Sequence, residues 1–319
     1  MNRKSVTELR RLDEAARAGW LYYVAGNTQD EISKKLGVSR QSAQRMVSLA
    51  VSEGLVKVRL DHPIAHCMQL SLRLKDRFRL AACEVIPSDP NNPSLPIGLA
   101  QAGAVEIERY LESKEPSTLA FGTGRALGSC VDELSPMNCP HHRVVSLLGN
   151  IMADGSASAY DVIERMTDRV NARQFPMPLP VLADTPKEKT ILHNLTQVKK
   201  VLKVAKSADV RFVGIGNLGE QSPLYNDGFI TRKELKALQA AGGIGEIISW
   251  VYDRDGNILD GLTNSRVASV PLVVNAKNTV FGIAAGEVKV PAIIGALRGK
   301  LINALITNEH TAELILDRD

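Results

Sequence analysis

The spacing of apolar residues changes period along the chain. Between Asn27 and Gly54, in NTQDEISKKLGVSRQSAQRMVSLAVSEG, they recur at helical intervals in two short stretches. Thr28 followed by Glu31 has the form of a capping box, which predicts a helix running to Leu36 and stopped by Gly37. Ser39 opens a second helix whose Ala43, Met46, Val47 and Ala50 meet Ile32, Leu36 and Val38 in one small core. Upstream, residues 6 to 25 form an amphipathic helix with Leu9, Leu12, Ala16, Trp20, Tyr23 and Val24 along one side, its aromatics expected in the core. Downstream, LVKVRL alternates apolar and basic residues like a strand, a wing carrying Lys57 and Arg59, until Asp61, His62 and Pro63 break it. A domain boundary is placed there, giving 1–62 and 63–319.

IAHCMQLSLRLKDRF is helical again, with a seam of Cys67, Leu70, Leu74 and Phe78. It suits a linker helix, a dimer contact or the first helix of the next domain. From about Arg79 the period alternates between two and helical. The predicted strands are CEVIP, TLAFG, RVVSLLG, PLPVLA, VRFVGIG, EIISWVYD, LVVN and TVFGIAAG. Between them lie helices such as AQAGAVEIERYL, SAYDVIERMTDRV and one long TPKEKTILHNLTQVKKVLKVAK. Strand-helix alternation implies a Rossmann-like, mostly parallel α/β sheet covered on both faces, with ligands at the carboxyl ends of its strands.

Charge sharpens the reading of the first part. Up to Leu60 there are eleven Lys or Arg against six Asp or Glu, a balance of +5, whereas the whole chain is +4. The excess lies beside the helical pair, where a phosphate backbone would be met. On the second helix Arg40, Gln41, Gln44 and Arg45 share the face opposite the core and suit base edges and phosphates. With the helix starts Thr28, Gln29, Ser39 and Ser42 they make the candidate DNA-binding set. An ordinary helical hairpin with a solvated face has the same spacing.

In a chain of 319 residues, four scattered cysteines form no disulfide framework, and no signal peptide or long apolar run is present. A reduced, cytoplasmic protein without membrane contact is expected. Cys130, Cys139, His141 and His142 fit no usual zinc spacing, so no metal is expected.

Four glycine turns follow strands. Gly122, Thr123, Gly124 and Arg125 lead into a helix, an arrangement suited to phosphate or hydroxyl oxygens. Gly149, Asn150 and Asp154 follow the next strand. Gly214, Gly216 and Gly219, with Asn217 between them, spell a dinucleotide fingerprint, but a Pro- and Asn-containing loop follows where a helix is required. No nucleotide cofactor is therefore expected. The fourth turn offers Glu246 and Asp253. Near the end, Gly286 and Lys289 precede a helix, where the lysine suits either an anionic or carbohydrate oxygen or plain solvent.

Several of these stretches, in this order, resemble a known family. LYYVAGNTQDEISKKLGVSRQSAQRMVSLAVSEGLVKV, FGTGRAL, GGIGEIISWVYDRDGNILD and AAGEVKVPAIIGALRGKLINALITNEHTAELIL are similar to the SorC-type sugar-responsive regulators, often grouped with DeoR-like regulators. The resemblance implies a helix-turn-helix joined to an effector domain akin to sugar-phosphate isomerases and deaminases, assembled as a dimer or tetramer. It implies a regulator of a carbohydrate or polyol operon, controlled by a sugar, polyol or sugar phosphate. The alternative is an active sugar-phosphate isomerase or deaminase carrying a DNA-binding module, with Glu246 or Asp154 as base and Lys289 as its partner. By resemblance, Gly122, Thr123, Gly124, Arg125, Asn150, Glu246 and Lys289 face the effector. Two departures stand out. Relatives that bind twice-phosphorylated sugars have an arginine beside the second glycine turn, where this chain has Asn150, which suits a monophosphate or an unphosphorylated ligand. The family's Thr-Asp-Glu is Thr307, Asn308 and Glu309 here, which predicts loss of a helix cap.

Overall fold

The computed structural model describes residues 3–58, 64–152, 155–156 and 161–318. The chain forms two compact units, Met1–His62 and Pro63–Asp319.

In the first unit α1 (Arg3–Tyr23), α2 (Gln29–Leu36) and α3 (Arg40–Ser52) surround a core of Ala18, Ile32, Ala43 and Val47. The capping box is formed: the Thr28 N–H donates to Glu31 Oε2 at 2.8 Å, and the Thr28 hydroxyl accepts from the Glu31 N–H. Gly37 ends α2 at φ 65°, in the left-handed region. Ser39 then caps α3 by accepting the Ser42 N–H at 3.1 Å. Thr28→Ala is expected to cost about 1 kcal/mol, read as a lower unfolding midpoint in urea for the α1–α3 unit.

The buried face of α1 differs from the expected one. Ala15, Ala18 and Gly19 are buried, whereas Leu9, Trp20, Tyr23 and Val24 are exposed, Trp20 at 55%. Closeness to α3 is the cause. A Cβ on Gly19 would stand 2.7 Å from both Ala50 Cβ and Val56 Cγ2, so only the smallest residues fit that side. The described part of the expected wing, Leu55–Val58, is not a strand, and Arg59 lies outside the described residues.

The second unit is built on a seven-stranded sheet, parallel throughout, in the order β1-β10-β9-β5-β2-β3-β4. These strands are β1 (Ala82–Ile86), β2 (Thr118–Phe121), β3 (Met137–Ser146), β4 (Val170–Phe175), β5 (Val210–Gly214), β9 (Thr279–Ile283) and β10 (Ala304–Asn308). A separate antiparallel sheet holds β6 (Gly216–Asn217), β7 (Gly243–Ile247) and β8 (Trp250–Asp253). Side chains alternate across the main sheet as the pleat requires. Leu119, Phe121, Val210 and Phe212 enter one core, Ala120, Val145 and Val213 the other. Phe121, Phe212 and Phe281 stack across adjacent strands, with centroids 5.3 and 5.2 Å apart. Helix α4 (Ala65–Phe78) buries Cys67, Leu70 and Leu74 in the same core as Val85, which makes it the first helix of this unit.

Several expected elements change. EIISWVYD is a hairpin, not one strand: β7 and β8 pair with Ile247 opposite Trp250, and the turn residues Ile248 and Ser249 have φ of 46° and 70°. Such a turn normally uses Gly or Asn, so its sequence carries no turn signal. PLPVLA contributes only isolated bridges and LVVN no strand. β4 begins where a helix was expected to end, and β10 is a strand absent from those expected. The long helix breaks at Leu195 into Pro186–Asn194 and Thr196–Lys206. The cap expected to be lost is present: Asn308 Oδ1 accepts the Thr311 N–H at 3.0 Å, while its amide donates to the Pro93 and Leu95 carbonyls.

Candidate functional site

The strand order determines where a site forms. From β2 the chain moves outward through β3 and β4, then crosses back to lay β5 on the other side of β2 and continues outward through β9 and β10. The two directions part between β2 and β5, and a crevice opens beyond the carboxyl ends of strands at such a point. A cavity of about 540 Å³ lies there, lined by both strand ends and by the β7–β8 turn. Its size is typical of small-ligand sites.

From β2, Thr123 and Gly124 lead into α6 (Arg125–Asp132), whose first residues line the cavity. Gly124 has φ 118°, a conformation open to glycine, and among the described residues no side chain caps the helix. The Arg125 guanidinium donates to Asp227 Oδ1 at 3.2 Å. Asp227 ends the short helix Pro223–Asn226.

From β5 the chain passes Ile215 into β6, which pairs antiparallel with β7 and places Gly216 opposite Glu246. A Cβ on Gly216 would stand 2.2 Å from Glu246 Oε1, so the carboxylate occupies space that only glycine leaves. The Ser249 N–H donates to Glu246 Oε2 at 2.8 Å, and the Ser269 hydroxyl holds the Ile248 carbonyl at 2.7 Å. Positive φ at a β-branched residue costs energy, so this turn depends on those bonds and on the burial of Ile248.

Burial pushes the Glu246 carboxyl above its ordinary range, against the opposing effects of the Ser249 N–H and Lys289. Burial likewise pushes Lys289 down, Glu246 draws it back up, and Arg125 adds to the lowering. Lys289 closes a 3₁₀ turn, Glu287–Lys289, just before the helix Val290–Arg298, and faces the cavity rather than solvent alone. Leu127, Leu148, Val181, Ile215 and Phe229 form an apolar wall.

Of the candidate effector residues, Thr123, Gly124, Arg125, Asn217, Glu246 and Lys289 converge on this cavity. Gly122 sits just behind it, its N–H bonded to the Phe212 carbonyl at 2.8 Å. Asn150 is not among the lining residues and donates to Asp161 Oδ2. Asp154 lies outside the described residues. Asp253 belongs to the far turn of β8. There desolvation would raise its carboxyl, but Asn257 and the backbone N–H groups of Asp255, Asn257 and Gly256 outweigh it and hold the group low. No helix opens from Gly214–Gly219, since the next begins at Pro223. Asp227 and the Ile248–Ser249 turn carried no sequence signal because their roles arise only across the fold.

On α3, Arg40, Gln41, Gln44 and Arg45 are all exposed, opposite buried Ala43, Val47 and Ala50. Arg40 reaches Asp30 of α2 at 3.4 Å, and Arg45 leans on Gln41. Thr28 and Ser39 serve as caps, with Gln29 and Ser42 in the adjoining first turns.

Elsewhere, the four cysteines are free, and His142 is a structural group: Nδ1 accepts the Ser117 N–H, and Nε2 lies 3.1 Å from the Leu111 carbonyl. Among the described residues no three metal-ligating side chains cluster and no helix is long and apolar enough to cross a membrane.

Residues 62–317 match the Sugar-bind family of sugar-binding domains. The erythritol catabolism regulatory protein EryD of Brucella abortus is 31% identical over 303 residues, covering 95% of this chain and 96% of that protein. The sorbitol operon regulator of Klebsiella pneumoniae is 29% identical over 309 residues, 93% of this chain and 95% of the relative. The crystal structure of full-length SorC from Klebsiella pneumoniae superposes with a TM-score of 0.70 at 27% identity, covering 96% of this chain and 99% of that one. Matched across nearly its whole length, with the α/β unit spanned by the sugar-binding domain, the chain belongs to the SorC-type family of sugar-binding transcriptional regulators.

Proposed function

We propose that this protein is a sequence-specific DNA-binding regulator of a carbohydrate or polyol catabolic operon, controlled by a small sugar, polyol or sugar phosphate, and not an enzyme. The observation that carries the reading is the pairing, in one chain, of a capped helix with an exposed Arg-Gln face and an α/β unit with a cavity at its topological switch point. Thr123, Gly124, Arg125, Asn217, Glu246 and Lys289 hold the effector, and α3 reads the operator as part of a homo-oligomer. A ligand bound differently by two arrangements of the assembly shifts DNA affinity. Coupling of about 1–3 kcal/mol changes it roughly 5- to 150-fold.

The relatives' names support the effector class, since they are regulators of erythritol catabolism and of a sorbitol operon. The test is salt-dependent binding of the full chain to the promoter of an adjacent sugar or polyol operon, titrated with a panel of these compounds. Binding that falls steeply with salt and changes with one compound is the expected result. Absence of any promoter binding would end the proposal.

The Glu246–Lys289 pair also suits the rival reading, because a carboxyl raised by burial beside a lysine is how proton-transfer sites are built. Turnover of a sugar phosphate, abolished by Glu246→Gln, would establish it. No turnover is expected.

A further inference from the structure

The chemical class of the effector is written in how charge is distributed around the cavity. Among the described residues, the charged side chains lining it are Arg125, Lys289, Asp227, Glu246 and Glu220. Arg125, Asp227 and Glu220 are held in ion pairs. Arg125 donates to Asp227, whose side chain is only 14% exposed. Lys289 lies in the field of Glu246, itself held by the Ser249 N–H. Glu220, at the exposed rim, pairs with Arg232 at 2.9 Å.

We infer that the effector is an uncharged polyhydroxy compound, a short polyol or an unphosphorylated sugar, and that its phosphate esters are poor ligands. The inference rests on the sensor reading above and narrows it.

A phosphate monoester would bring a charge of about −1.5 to −2 into a space where Arg125 is already paired and two half-buried carboxylates, Asp227 and Glu246, face it. Binding it would require Arg125 to leave Asp227, exposing an unpaired buried carboxylate, or would place phosphate oxygens against Glu246. A neutral polyol needs neither. Its hydroxyls donate to carboxylate oxygens and accept from the lysine and the guanidinium, leaving the Arg125–Asp227 ion pair in place. Its C–H edges meet the apolar side of the cavity at Leu148, Val181 and Phe229.

The test uses the full-length chain with glycerol, erythritol, xylitol and sorbitol, the monophosphates of each, and inorganic phosphate, read by thermal shift and calorimetry. At least one neutral compound is expected to raise the melting temperature, and its monophosphate to bind at least about tenfold more weakly. A phosphate ester bound within tenfold of its neutral parent, or more tightly, would overturn the inference while leaving the sensor reading intact. If neither class binds, both fail. Asp227→Asn supplies a second readout. By releasing Arg125 from its carboxylate it is expected to shift the preference toward the phosphate ester by about tenfold or more. An unchanged preference in a variant that still binds the neutral compound would show that charge pairing does not set selectivity.

Discussion

Gly216→Ala is expected to weaken effector binding roughly tenfold to a hundredfold without unfolding the protein or impairing operator binding. The added Cβ would stand 2.2 Å from Glu246 Oε1 and 2.9 Å from its carboxyl carbon, and this group is the end of a flexible side chain rather than backbone. The carboxylate gives way, so it leaves the Ser249 N–H and with it the position from which it would bond the effector. Loss of one charged hydrogen bond costs about 1.5–3 kcal/mol, which corresponds to the stated loss in affinity. Calorimetric titration of the cognate effector measures it. A double-mutant cycle identifies the route: if the alanine acts through Glu246, adding it to Glu246→Ala has little further effect. An additive loss would mean that Gly216 contacts the ligand itself. Unchanged affinity would remove Glu246 from the site.

The second large effect concerns DNA. Arg40→Ala with Arg45→Ala is expected to reduce operator affinity at least about thirtyfold, since each base- or phosphate-contacting arginine is worth about 1–3 kcal/mol. Effector binding is unaffected. In the free protein Arg40 is held by Asp30 and Arg45 by Gln41, but these contacts are on exposed side chains and are worth little. DNA can therefore draw both arginines away at small cost. The single variants distinguish their roles. An arginine on a base edge relaxes sequence preference when removed, whereas one on a phosphate weakens all sites alike and lowers the salt slope by about 1. Retention of full affinity in the double variant would place the recognition surface elsewhere.

The sequence was most readable where a feature closes within one or two turns of chain. Thr28 with Glu31, Gly37, and Ser39 with Ser42 are three-residue relations that any helix of this composition would form, and the structure forms them. The two-residue alternation in TLAFG and VRFVG likewise reports the pleat directly. Family resemblance added the effector domain and its match to SorC-type regulators.

Where the reading failed, a distant partner had decided the outcome. The apolar stripe of α1 was legible, but which side of it is buried depends on how closely α3 approaches, and Gly19 and Ala18 outcompete Trp20 for that contact. EIISWVYD looks like one strand until the Ile248–Ser249 turn is held by Ser269 and by Glu246. ALITN is not among the predicted strands, yet it becomes β10, paired on either side with β1 and β9. The Asn308 cap survives the change from aspartate because asparagine both accepts and donates, and here it satisfies the helix start and the 93–95 loop together.

The sequence by itself determined that the chain has a capped helical pair with a basic polar face, followed by a strand-helix unit whose glycine turns are ready for ligand oxygens. These follow from local geometry, since residues three or four apart in a helix, or two apart in a strand, must share a face. Only the tertiary structure decided that Arg125 meets Asp227, 102 positions away, and that Gly216 makes room for Glu246. Strand order brings these residues together, and it is set by packing of the whole sheet, which no short stretch of sequence contains.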